Sequence, residues 1–140
     1  MEFRLLLRGN LPPDKRGTVP AKHAIRRELH PQLRILWQQH PTLRGSFEPQ
    51  KAKGGISRVE ELAKQYSHSG FRFVPLIKTK DFACELDILL LRRQEPYRAF
   101  DPVGDLDGRV KTLIDGLRMP QLGQEIGENK PSEDEDPFFV

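Results

Sequence analysis

FRFVPLIKTKDFACELDILLLRR, residues 71–93, is the stretch that decides the fold class. Two apolar runs, FRFVPLI and ACELDILLLRR, flank the polar turn KTKD, which predicts a pair of strands. In the second run Leu86, Ile88 and Leu90 share one face while Glu85 and Asp87 share the other, the period of two of a half-buried strand. Pro75 makes the first run an edge strand or a bulged one, because proline cannot donate to a ladder. Cys84 lies within the strand pattern and reads as a small buried apolar residue.

Helical periodicity surrounds this pair. EFRLLLRG alternates, with Phe3, Leu5 and Leu7 on one face, and predicts a half-buried N-terminal strand ended by Leu11-Pro12-Pro13. Pro20 then suits the first turn of a helix, along which Ile25, Leu29, Leu33, Leu36 and Trp37 form an apolar stripe. Pro31 predicts a kink there, or a split into two helices. His23, Arg27, His30 and Arg34 share another face of it, with Lys22 and Arg26 nearby. That face is either a phosphate-contacting surface or a solvated basic one. Residues 41–57 read as loop, and Ser57 as the cap of a short helix over RVEELAKQY. YRAFDPVG is a loop before one more helix. Strands and helices are mixed over 140 residues, enough for one small domain with a core and little room for a second.

Composition narrows the function. Hydrophobic residues make up 36% and charged ones 31%, as in a soluble globular protein. No window approaches the roughly 18 to 20 apolar residues of a membrane span, and MEFRLLLRGN lacks the features of a signal peptide. A single cysteine cannot form an internal disulfide, so a cytoplasmic location is expected. Four scattered histidines and that cysteine show no zinc-ligand spacing, and Lys53-Gly54-Gly55 is not a phosphate loop.

The net charge of +3 hides an asymmetry. Residues 1–119 carry 22 Lys and Arg against 14 Asp and Glu, a net of +8. Residues 120–140 carry Lys130 against six acids: Glu125, Glu128, Glu133, Asp134, Glu135 and Asp136. A basic body suits a polyanionic partner, since each cation that neutralises a phosphate releases a counterion; it also suits solubility alone. The final Pro137-Phe138-Phe139-Val140 looks like the first half of a strand, and so like the start of a truncated segment.

GDLDGRVKTLIDGLR, residues 104–118, carries the chemistry. At about 100° per residue, Asp107, Lys111 and Asp115 fall within an arc of about 80°, beside an apolar arc of Val110, Leu113, Ile114 and Leu117. Asp105 lies at the predicted N-cap. Converging carboxylates are what Mg²⁺ needs, with water and substrate phosphate completing its shell, and a nearby lysine could face the scissile phosphate. The same residues also suit an ordinary cap and i,i+4 surface pairs.

At these residues the chain resembles the RusA family of Holliday-junction resolvases. The family has an Asp-x-Asp-Asn segment, a Lys four residues after the second Asp, and Asp-Ala-Leu at the end of the same helix. Here the run is Asp105-Leu106-Asp107-Gly108, Lys111, and Asp115-Gly116-Leu117, a match of about fifteen residues. Gly108 stands where the family has Asn. A further acid that the family places after this helix has its nearest candidates in Glu133 to Asp136.

The resemblance implies a small single domain of mixed α/β class, a mixed sheet packed against helices, acting as a homodimeric, Mg²⁺-dependent endonuclease, with Mn²⁺ a possible substitute, that cuts four-way DNA junctions in recombination and repair. Such proteins are bacterial, often phage-derived, and work in the bacterial cytoplasm or nucleoid. Asp105, Asp107 and Asp115 would be metal ligands or supports, catalytic together with Lys111, the phosphate-facing cation. Arg92, Arg93, Arg109, Arg118, Arg26 and Arg27 are the candidate DNA contacts. Residues 1–118 would form the nuclease domain, and 119–140 an acidic, partly disordered insert or the start of a truncated segment. Two other readings stand beside this one. The first is a non-catalytic DNA- or RNA-binding protein of phage or mobile-element origin. The second is an interaction protein whose residues 120–140 contact a partner and can be deleted without loss of fold.

Overall fold

Thr18 sets the start of the longest element. Its hydroxyl accepts the Ala21 N–H, and Pro20 occupies the first turn, so helix α1 (Val19–Gln39) begins where the sequence predicts. The computed structural model describes residues 1–9, 11–13, 18–50, 54–77, 85–91 and 106–140. Helix α1 runs as one helix of 21 residues through Pro31, with no split. Pro31 lies on the solvent side, where the Arg27 carbonyl that loses its intrahelical donor can be hydrated. The predicted stripe is buried: Ile25, Leu29, Leu33 and Trp37 enter one core with Val59, Leu62, Ala63, Val74 and Phe139. The buried surface of α1 is wider than that stripe, because His23, Arg26 and His30 are buried as well.

A 3₁₀ turn (Arg44–Phe47) leads to a two-residue antiparallel pair, β1 (Pro49–Gln50) and β2 (Ile56–Ser57). Ser57 caps α2 (Arg58–Gln65) by accepting the Glu60 N–H at 3.2 Å, as expected. Strands β3 (Ser67–His68) and β4 (Phe71–Val74) pair antiparallel, and β4 pairs in parallel with β5 (Phe138–Phe139). The result is a mixed three-stranded sheet in the order β3-β4-β5, packed against helices in a small α/β domain.

The sheet departs from the predicted pairing. Strand β4 is central, with β3 on one edge and β5 on the other, so no edge remains for the expected hairpin partner. Residues 85–91 form no strand, and Leu89 and Leu91 are 82% and 86% exposed. The rest of that predicted strand, with Cys84, lies outside the described residues. Pro75 is accommodated in this central position. The Val140 N–H donates to the Val74 carbonyl at 3.1 Å, and the Leu76 N–H donates to the Val140 carbonyl at 2.7 Å. The parallel ladder thus bridges Pro75 without needing its missing N–H.

The N-terminal segment keeps its alternation without joining a sheet. Phe3, Leu5 and Leu7 are half-buried against the main core, and Leu6 faces solvent. Its backbone partners are side chains of α1. The Gln32 amide accepts from the Leu6 N–H at 2.9 Å and donates to the Leu6 carbonyl at 2.7 Å, and Glu28 accepts the Arg8 N–H at 2.6 Å.

Residues 120–140 are built into the fold. They contain 3₁₀ turns at Gly123–Glu125 and Glu133–Glu135, and they bury Ile126, Phe138 and Val140 with Phe71 and Phe73 in a second core. The acidic composition concealed this role, because few but large apolar residues carry it. A segment with this many core contacts is not the deletable partner-binding tail of the interaction reading.

Candidate nucleic-acid interface

Helix α3 (Leu106–Leu117) carries the predicted chemistry, and the face it buries is not the apolar arc. Gly108, Thr112 and Gly116, four residues apart, form the buried strip, while Ile114 is exposed and Val110, Leu113 and Leu117 are half-buried. Small residues let α3 approach α1 closely. A Cβ on Gly116 would stand 2.8 Å from Cγ2 of Ile25. The Thr112 hydroxyl donates to the Gly108 carbonyl at 2.9 Å, which removes a polar group from the contact.

This seating leaves Asp107 and Lys111 exposed and Asp115 half-buried. Asp115 meets α1: its Oδ2 lies 2.5 Å from Nζ of Lys22. That hydrogen bond, aided by the charges of Lys22, Arg118 and Lys111, holds its carboxyl below the ordinary carboxylate range. Asp107 and Asp115 are eight residues apart on one helix, about 12 Å along its axis. They cannot share one Mg²⁺ whose ligand bonds are about 2.1 Å. Of the two roles expected for Asp115, ligand or support, its pairing with Lys22 leaves the supporting one beside Asp107. Asp105 lies outside the described residues, as do Arg92 and Arg93. Among the described residues, no three His, Cys, Asp or Glu side chains come together as a metal site.

Among the described residues, four of the arginines expected on DNA, Arg26, Arg27, Arg109 and Arg118, are engaged by the protein itself. Arg26 is only 3% exposed. Its guanidinium donates to the carbonyls of Asp115 at 3.0 Å, Arg118 at 3.1 Å and Glu125 at 3.3 Å, satisfying the C-terminal end of α3 and the turn beyond it. Burial lowers its pKa from the ordinary arginine value. Arg26 is therefore a buried clamp, which corrects its placement at a DNA surface. Arg118 pairs with Glu125 at 2.5 Å, and Arg109 donates to the Leu11 carbonyl. Lys22, Arg26, Asp115, Arg118 and Glu125, with Val19, line a cleft of about 80 Å³. That is well below the few hundred Å³ of a small-molecule pocket; it is a charge-paired seam.

The basic face of α1 is covered in the same way. Arg27 Nη2 donates to the Lys130 carbonyl at 2.6 Å, and its Nε lies 2.8 Å from Oε1 of Glu135. Arg34 donates to the Asp134 carbonyl at 3.2 Å. Burial alone would raise the Glu135 carboxyl, yet the Ser132 N–H at 2.8 Å and Arg27 hold it low. His23 and His30 are buried rather than presented to a ligand. The charge asymmetry was the sequence signal for this contact: of the six acids in the last stretch of a basic chain, Glu125, Glu135 and Asp136 pair with Arg118, Arg27 and Arg72.

Compared with protein-family models, curated proteins and solved structures, the chain matches none. No helix among the described residues is long and apolar enough to cross a membrane.

Proposed function

We propose that the protein binds branched DNA through the exposed edge of α3 and acts there as a RusA-like, Mg²⁺-dependent endonuclease. The observation that carries this reading is the rotation of α3. Its small-residue face is spent on α1, so Asp107 and Lys111, one turn apart, both stand in solvent. A carboxylate able to take a hydrated cation and an ammonium able to meet a phosphate thereby lie one turn apart on the same exposed edge. The basic charge of residues 1–119 supplies the long-range attraction.

The described residues alone do not complete a metal site. On this reading Asp107 acts with Asp105, its neighbour two positions earlier in the sequence, and Asp115 keeps Lys22 in place. The Asp115–Lys22 pair also favours a second reading, DNA binding without cleavage, because it removes one of the three expected ligands.

A synthetic four-way junction separates the two. Cutting in Mg²⁺ or Mn²⁺ that Asp107→Asn reduces at least about a hundredfold supports the nuclease. Salt-sensitive binding without cutting, unchanged by Asp107→Asn, leaves the second reading. Absence of junction binding at low salt overturns both.

A further inference from the structure

Three aromatic rings join α1 to the C-terminal segment. Phe138 stacks on His30 at a centroid distance of 4.6 Å and on His23 at 5.9 Å. Phe71 meets both His23 and Phe138 edge-on, at 5.3 Å and 5.4 Å. His30 bonds the segment at two points. Its Nδ1 accepts the Phe139 N–H at 2.9 Å, so its Nε2 carries the proton and faces the Asp134 carbonyl at 3.3 Å. His23 is 1% exposed, and neither of its ring nitrogens has a hydrogen-bond partner. Both contacts require a neutral imidazole. A proton on His30 Nδ1 would oppose the Phe139 N–H, and a charge on His23 would lie unsolvated among phenylalanines.

We propose that the His23–Phe138–His30 stack is an acid-released latch: neutral, it holds residues 130–139 over the basic face of α1; protonated, it frees them and opens Arg27 and Arg34 to a polyanion. The groups facing the two rings fit this role. Arg26 and Arg27 face His23 from its own helix and Glu135 faces it from the segment; Arg34 and Glu135 flank His30 in the same way. Burial, reinforced by Arg27 and Arg26, lowers His23 from 6.5 to about 4, and burial lowers His30 as well. Because both folded values lie below the unfolded one, the stabilisation of the closed form is fully present above pH 6.5. It is lost as pH falls, for His23 down to about 4. Across that window each pH unit raises the opening constant by up to about tenfold through His23 alone. The released face would carry Arg27, Arg34 and two imidazolium groups.

The choice of polyanion rests on the nucleic-acid reading above; the opening does not. Hydrogen exchange of the full chain between pH 7.5 and 5 tests the latch, after correction for intrinsic exchange. Protection of the Phe139, Val140 and Leu76 amides should fall by about tenfold per pH unit below 6.5, while amides of α1 and α3 stay protected. A fluorescein-labelled DNA duplex should gain affinity over the same range, and the gain should vanish in Arg27→Ala/Arg34→Ala. His23→Phe/His30→Gln removes the titrating rings but keeps an acceptor for the Phe139 N–H, and should flatten both pH profiles. Uniform loss of protection over the whole molecule, or opening without a gain in DNA affinity, overturns the proposal. If the histidine variant does not fold, the wild-type exchange profile still decides. Failure of junction cleavage at pH 7.5 would count against the nuclease reading alone.

Discussion

Gly116 shows how one missing side chain fixes the orientation of the candidate site. A Cβ there would meet Ile25 at Cγ2 (2.8 Å), Cβ (3.0 Å) and Cδ1 (3.1 Å), and Ile25 is a buried core residue of α1. Alanine would gain up to about 1 kcal/mol in helix propensity, but overpacking a tight contact costs about 1–3 kcal/mol. Gly116→Ala should therefore lower stability by about 1 kcal/mol, read as a shift in urea midpoint at constant slope. Ile25→Ala costs stability by itself, yet in its background Gly116→Ala should be neutral or stabilising. Additive effects in that double-mutant cycle would show that the two helices do not meet at this point. Gly116 also governs Asp107 and Lys111, because any rotation of α3 that relieves the clash carries both along.

At the scale of elements, the sequence was informative about faces and poor about partners. The α1 stripe, Pro20 in the first turn and the cap at Ser57 depend on residues a few positions apart, and they stand as predicted. Alternation in EFRLLLRG correctly placed Phe3, Leu5 and Leu7 inward, but a period of two says nothing about what borders the segment. Its partner is Gln32, whose amide presents one acceptor and one donor in the manner of a neighbouring strand. Gln32→Ala should cost about 1 kcal/mol and expose the Leu6 amide to exchange, with β4 unaffected. Unchanged protection at Leu6 would mean that packing of Phe3, Leu5 and Leu7 alone holds the segment. In α3 an apolar arc was legible and misleading, since close helix contact favours Gly108, Thr112 and Gly116 over larger residues. Of the candidate site, the one-turn relation of Asp107 to Lys111 followed from helical spacing. The capture of Asp115 by Lys22 did not, because it joins helices 93 positions apart in the chain.

For the whole molecule, the decisive pairing is β4 with β5, which joins Phe73 to Phe138 and Val74 to Phe139. Short-range pattern favoured residues 83–93 as the partner of FRFV because the two runs are adjacent and both apolar. Burial decides otherwise. Phe138 is fully buried among His23, His30, Phe71 and Phe73, whereas Leu86 and Leu90, which the strand pattern would turn inward, are exposed. The two pairings make opposite predictions for truncation. With β5 in the sheet, Phe138→Ala removes a large side chain from a closed aromatic cluster and should cost about 3–5 kcal/mol, a large share of the roughly 5–15 kcal/mol that holds a domain together. Leu86→Ala and Leu90→Ala, on the face that the strand pattern would turn inward, should each stay within about 0.5 kcal/mol. If 83–93 were instead the neighbour of β4, the leucine changes would be severe and Phe138→Ala mild. Urea denaturation of the three variants, followed by the single tryptophan, Trp37, 6.1 Å from Phe139, distinguishes the topologies. A reversed order of costs would remove β5 from the sheet, and with it the seat of the acidic segment on α1.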